Sequence, residues 1–479
     1  MSKYYKQHKN MRVFNLLMGP ALFLLCLAVL PHSVFTTAAA RGAIGTVVWM
    51  AYWWVSGPID FAITGFLPIA VNAFLQMADM TAVIANYADE IVLLLLGASI
   101  LTAVWEMTGL DKRIASWFLL FIGNSLRKQV VFWFILTTLL SSVLPNAVVC
   151  AAITPIAVSM LRYIGIEDIG ESKLGSMILL TIAYGTGIGG LGTPLGGAMN
   201  LVTVSYLEDL TKNEYIYLHW VIRFLPLMIV LVLVNIIYLL CFCKKGEVLG
   251  RSREYFEMQY KAMGKMKSGE KWGLGLFAVA AILSFSRQLY QNIFPNLKPA
   301  YVFLICAILA FIVTKSDGNR LIEWKTAEKR VIWELMYVYA GGLAAGTLIE
   351  KSGAAKALGK AMASMNLNGG FLTVLVIVTV TLLMSDVTSA TATAGVSIPI
   401  VINLMQGMGV NPIPYVYIAS IGINVSYMLP TSIRAIPVGY GLKPKYMFKM
   451  GVGLSVLTIA AMSVMAWLML KYWPAFSTI

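Results

Sequence analysis

The 479-residue chain is 59% hydrophobic and only 12% charged, with a formal net charge of +14 and a mean hydropathy of +0.78. A soluble enzyme has nearer a quarter of its residues charged, and no single water-surrounded core could hide so much apolar surface, so the chain is a polytopic membrane protein. The basic residues lie in short runs between apolar stretches, as in cytoplasmic loops, which argues against a nucleic-acid-binding face.

In chain order, the basic start (Lys3, Lys6, Lys9, Arg12) leads into an apolar run from Val13 to Leu30. That run is long enough to span and reads as a first membrane helix entering from the cytoplasm, not as a cleavable signal peptide. Spans at 42–56 and 59–77 follow, so that residues 1–89 form three scaffold helices. A unit at 90–219 holds a span at 90–109, an apolar stretch at 129–163 and a span at 174–205. Residues 220–329 read as further scaffold, with spans at 220–243, 272–292 and 299–314 around a basic loop at 244–271. A second unit at 330–446 holds a span at 330–350, an apolar stretch at 370–406 and a span at 413–441; a last helix at 447–470 lies in a closing segment, 447–479. Cys26, Cys150, Cys241, Cys243 and Cys306 lie mostly inside apolar runs without metal or disulfide spacing, and read as packing residues.

Lys112, Arg113, Arg127, Lys128 and the run from Lys244 to Lys271 share the side of the amino terminus if 129–163 enters and returns without crossing. Glu208, Asp209 and Glu214 then make an acidic outer loop, while Lys351, Lys356 and Lys360 run against the bias. An ungapped shift of 244 residues pairs Glu90 with Glu334, Gly97 with Gly341, Glu106 with Glu350, Lys112 with Lys356, Thr137 with Thr381, Ser141 with Ser385 and Pro155 with Pro399. The two units start from opposite sides on this topology, so the repeats are inverted, as in many secondary transporters.

Both apolar stretches are interrupted near their middle: by Leu144-Pro145-Asn146-Ala147 in the first and by Ser385 to Thr391 in the second. Each reads as a re-entrant helical hairpin with its tip at mid-membrane, where the amides at a half-helix start attract anions. Two full helices joined by a tight turn, or one helix bent by its proline, are the alternatives. A broken element follows each hairpin, at Gly185 to Asn200 and at Met428 to Pro437, with Pro194 and Pro430 aligned. Gly187 to Gly192 fits GxGxxG, but without a strand and a ribose-binding acid it does not make a nucleotide site. It reads as unwound backbone lining an ion or substrate site, or as close helix packing through small residues. The expected fold class is thus all-α and polytopic, with about eleven transmembrane helices and two re-entrant hairpins in two inverted repeats.

Paired hairpins, each followed by a broken helix, the first with Gly192-Thr193-Pro194 in its loop, resemble the divalent anion:sodium symporter family of the ion transporter superfamily, which is marked by Ser-Asn-Thr tips and Gly-Thr-Pro-Pro-Asn type loops. The similarity runs from about Glu90 to about Gly441, with the best matches at Glu90 to Ala115, Gly189 to Asn200 and Thr388 to Pro399. The resemblance implies an elevator-type carrier of a dicarboxylate, tricarboxylate or sulfate, either sodium-coupled or exchanging anions, assembled as a homodimer in the cell (inner) membrane, with no cofactor or metal other than sodium. Carried over by position, Ser141, Asn146 and Gly196 contribute to a first sodium site, and Ser385, Thr388 and Ser432 to a second. Asn146, Gly197, Ser389 and Thr391 face the anion.

The chain departs from the family where the first tip reads Pro145-Asn146-Ala147 and the second Ser389-Ala390-Thr391, and where the second loop carries Ile433-Arg434-Ala435-Ile436. An arginine in a span is costly unless paired or facing a polar cavity. Arg434 reads either as a fixed cation that replaces a sodium ion and pairs with the anion, or as a salt bridge to Asp386, or as a side chain snorkelling to the surface near Lys443. No HExxH or GxSxG motif supports an enzyme. The alternative transport reading is a cation/proton antiporter of the same superfamily, with Asp386 as proton carrier.

Overall fold

The structure, a computed structural model, describes residues 2–354, 357 and 369–479, so Lys356 and Lys360 lie outside the described residues. Among the described residues it is helical without strands, save for isolated bridges at Ser125–Val248 and Thr314–Arg320. Its long apolar helices include Met11–Val29, Tyr217–Cys241 and Pro444–Tyr472. With no water in hydrocarbon to satisfy peptide groups, apolar runs of this length must close their hydrogen bonds internally as helices.

The first two helices, Ser2–Val29 and Ala38–Ser56, pack as a pair in which Gly19 leaves room for Trp49 and Trp53. The expected span at 59–77 is two pieces, Phe61–Thr64 and Leu67–Leu75. It breaks where Gly65 lies directly against the backbone of Tyr337 and Gly341 on helix Trp333–Lys351. Glu90–Thr108 packs on Ser268–Phe285 and Pro299–Ile312, through Gly97 against Phe303 and a 2.9 Å bond from Trp105 Nε1 to Gly273 O. A short helix the sequence reading did not mark, Leu110–Leu119, leads to the first hairpin.

Both interrupted stretches are helix pairs with a two-residue turn. The first joins Leu126–Val143 to Asn146–Tyr163 and the second Phe371–Val387 to Ala390–Gly407. Each tip ends beside the break in the following element, Ser142 and Asn146 near Gly190 and Thr193, and Asp386 near Thr431. The repeat seen in the sequence is a repeat of contacts. Gly185 rides against Thr137 as Gly422 rides against Thr381. Ser141 Oγ donates to Thr186 O at 2.7 Å as Ser385 Oγ donates to Ile423 O at 2.7 Å. Gly97 and Gly341 are both points where a second backbone crosses.

The first broken element is Lys173–Gly189 and Ala198–Thr211, with tight turns at Gly190–Gly192 and Pro194–Gly196 between them. The second is less symmetric than expected: Ile413–Asn424 is followed by unwound chain, a turn at Ser432–Arg434 and only five helical residues, Ala435–Gly439. Tyr217–Cys241, grouped with the scaffold on sequence grounds, packs on the breaks. Trp220 Nε1 donates to Leu191 O at 2.8 Å and Asn235 Nδ2 to Tyr427 Oη at 2.8 Å. Pro444–Tyr472 joins it through Thr458, whose hydroxyl donates to Tyr427 Oη at 3.2 Å.

Within the basic loop, helix Ser252–Ala262 lies on the first hairpin. Phe256 is fully buried with its ring 5.9 Å from that of Trp133, and Gln129 Nε2 donates to Ser252 Oγ at 2.6 Å. The residues past Tyr472 turn back to bury Phe476 completely, 5.4 Å from the Tyr417 ring. Removing so large a buried ring costs about 3–5 kcal/mol. Phe476→Ala is therefore expected to lower the melting temperature of the purified protein clearly, and an unchanged melt would show this tail to be dispensable.

Candidate functional site

The site is built from the two tips and the two breaks. In the first unit three hydroxyls clamp the hairpin arm to the glycine-rich chain. Thr138 Oγ1 donates to Gly185 O at 3.1 Å, Ser142 Oγ to Gly189 O at 3.1 Å, and Thr193 Oγ1 to Ser142 O at 2.6 Å. The chain can come this close because its residues lack side chains. A Cβ on Gly196 would lie 2.6 Å from both Ser141 O and Gly190 O, a distance that real Cβ atoms do not show. Two carbonyl oxygens thus converge beside Gly196 with no side chain between them.

Asn146 stands at the edge of this cradle, its Nδ2 3.4 Å from the position of a Cβ on Gly190. It is half-buried and its amide makes no hydrogen bond among the described residues. The structure therefore sets Ser141 against Gly196 and Asn146 against the neighbouring Gly190. Gly197 caps the start of Ala198–Thr211, and that helix packs along Ala390–Gly407, whose first turn carries Thr391 and whose cap is Ser389. Helices begin at Asn146, Ala198 and Ala390, and a helix start favours negative charge. Ser389 Oγ accepts from Ala392 N at 3.1 Å, and Thr391 is buried at 7% exposure.

The second unit repeats the frame with different contents. Ser385 holds Ile423 O, and the Thr388 and Thr393 hydroxyls meet at 2.6 Å. Ser432, in contrast, is exposed with a φ of +52°, and its side chain makes no hydrogen bond among the described residues. A serine in that left-handed region is strained. No bond draws it to Ser385 or Thr388.

The centre of this loop is taken by Arg434, which is 4% exposed and so does not snorkel to a surface. Its Nε donates to Leu429 O at 2.8 Å, one Nη to Ser426 O at 3.2 Å and to Ser426 Oγ, and the other to Thr431 Oγ1 at 2.7 Å. Asp386 lies 3.9 Å from the guanidinium. Its Oδ1 accepts from Tyr427 N and Met428 N at 2.8 Å each, while Oδ2 is buried and makes no hydrogen bond among the described residues. The guanidinium is thus enclosed by oxygens of its own loop with a carboxylate behind them, the environment of a bound cation, and few donors remain for an external anion.

Sequence reasoning named neither Ser426 nor Thr431, the side chains that enclose Arg434. It also missed Asn424, which bonds to Asn200 Oδ1 at 2.8 Å. A polar residue immediately before the unwound chain, in an otherwise apolar helix, was the available signal for Asn424.

The profile of the citrate transporter family, CitMHS, matches residues 51–422. The chain is 27% identical over 458 residues to the sodium-dependent dicarboxylate transporter SdcS of Staphylococcus aureus strain MRSA252, covering 92% of this chain and 87% of that protein. Its counterpart from Staphylococcus saprophyticus is 26% identical over 474 residues, covering 95% and 91%. Among solved structures the fold is similar to the YdaH transporter of Alcanivorax borkumensis, with a TM-score of 0.50 at 13% identity over 82% of this chain and 89% of that one. It is likewise similar to MtrF of Neisseria gonorrhoeae, described as illuminating a class of antimetabolite efflux pumps, with a TM-score of 0.52 at 12% identity over 81% and 83%.

Proposed function

The chain belongs to the citrate transporter family, a membrane transporter and not an enzyme, and from that membership we propose that it carries a small dicarboxylate by alternating access coupled to sodium. The observation that carries this reading is the convergence of Ser141 O and Gly190 O at Gly196 beside the unbonded Asn146 amide. Oxygen ligands suit a hard monovalent cation, and a cation held there would offset the charge of an anion seated at the half-helix starts. Arg434 then supplies a fixed positive charge in the second unit, at the place where the first has room for an ion. The coupling is accordingly expected to use one sodium site at Ser141, Asn146 and Gly196, with Ser426, Thr431 and Asp386 around the guanidinium in the second unit.

The carrier unit in this proposal comprises both hairpins, both broken helices, Tyr217–Cys241 and Pro444–Tyr472. It moves as an elevator against the remaining helices within a homodimer in the cell membrane, with the amino terminus on the cytoplasmic side. Proteoliposomes test the function. Saturable, sodium-stimulated dicarboxylate uptake and counterflow support it, whereas sodium-driven proton movement without anion flux would support the antiport reading centred on Asp386. Flux that rises with concentration without saturating would mean a channel.

Asn146 offers both a donor and an acceptor beside the cradle. Asn146→Ala is expected to reduce uptake by at least about tenfold, the loss of roughly 1.4 kcal/mol of contact, with unchanged yield of folded protein. Near-normal transport by that variant would remove Asn146 from the site.

A further inference from the structure

We infer that Asn424, which touches neither ion nor anion, is a positioning residue for the cradle of the opposite repeat. It acts through Asn200 and sets how tightly the cradle holds sodium. The inference rests on the sodium-coupled reading above.

A side-chain amide has two ends of nearly equal shape, and its surroundings decide which end faces where. Asn200 is completely buried. Its Nδ2 donates to Gly190 O at 2.5 Å and to Thr193 O at 2.8 Å. Gly190 O is one of the two oxygens that converge at Gly196, and the Thr193 hydroxyl in turn holds Ser142 O. Turned end for end, the amide would press its own oxygen against two carbonyl oxygens and push Gly190 O out of line.

A third bond, from the other repeat, anchors the opposite end of the amide and so sets how firmly it holds Gly190 O. Asn424 Nδ2 donates to Asn200 Oδ1 at 2.8 Å and to Ser420 O at 2.9 Å. The second bond is to a main-chain oxygen, which can only accept, so the orientation of Asn424 is itself fixed. The Thr203 and Ser420 hydroxyls, 2.9 Å apart, keep the two helices in register. These residues are all buried, so water cannot stand in for a lost donor. Asn424 is also the last residue of its helix before the unwound chain that encloses Arg434, so the amide pair ties one break to the other.

Two variants test this. Asn424→Leu keeps the bulk and removes the donor; Asn424→Asp keeps the shape and places an acceptor opposite Asn200 Oδ1. Both are expected to raise the sodium concentration for half-maximal uptake about tenfold. At saturating sodium the dicarboxylate half-saturation should stay within about twofold of wild type. Folded protein is scored separately by dicarboxylate protection in a thermal-shift assay. A merely structural residue would lower the yield or the maximal rate and leave the sodium half-saturation unchanged, and that result in both variants would overturn the inference alone. Wild-type uptake indifferent to sodium would overturn the inference together with the reading beneath it.

Discussion

Arg434→Gln is expected to abolish dicarboxylate uptake and to destabilise the purified protein by roughly 3–5 kcal/mol, the usual consequence of removing one partner from a buried charged group and leaving the other unpaired. Glutamine is shorter and neutral. It cannot reach Ser426, Leu429, Thr431 and Asp386 at once, and the Asp386 carboxylate would lose the cation 3.9 Å away while Oδ2 already lacks a hydrogen bond among the described residues. The sequence left open whether Arg434 serves the anion or the fold; its enclosure by its own loop favours a cation built into the second break. Adding Asp386→Asn removes the stranded charge, so the double variant should recover a good part of the lost stability. Melting curves and uptake of the single and the double variant settle the matter. A stable Arg434→Gln that merely needs more dicarboxylate would mean that the guanidinium contacts the anion after all.

Gly196→Ala is expected to be nearly as severe, through crowding alone. Its Cβ must displace Ser141 O or Gly190 O, both main-chain atoms 2.6 Å away, and neither can move without opening the cradle. Overpacking of this kind costs about 1–3 kcal/mol. Concentrated on the ion ligands, that is a loss of sodium affinity of roughly 5-fold to 150-fold. Gly187→Ala is the control, because a Cβ there meets only the end of Ile433, at 3.8 Å. Uptake at graded sodium should separate the two glycines, and equal behaviour would show that the cradle tolerates a displaced carbonyl.

Much of this architecture was legible beforehand because length and apolarity decide which segments become membrane helices, and because the repeat preserved Thr137, Thr381, Ser141 and Ser385, the residues that dock each hairpin on its break. The family membership followed from the same features. Less legible was whatever depends on which side chain turns inward once the chain unwinds. Periodicity carries no information there, so Ser426 and Thr431 gave no sign of meeting Arg434. The five-residue helix after the second break was also hidden, since Ala435 to Leu442 carries no charge and reads as part of a continuing span. The Asn200–Asn424 bond joins residues 224 apart in different repeats, and no local pattern announces a contact of that range.

The helix laid across the first hairpin bears on how the protein is made. The hairpin ends at Tyr163, but Phe256, which covers Trp133, is synthesised about ninety residues later. At a ribosomal rate of about 5–20 residues per second, the hairpin waits roughly 5–20 seconds with Trp133 and Gln129 uncovered. Any cellular factor that shields nascent membrane segments would have to hold it during that interval, and quality control would find its opening there. A chain cut short before Phe256 should thus be degraded faster than one cut just beyond Ala262, although both contain the complete hairpin.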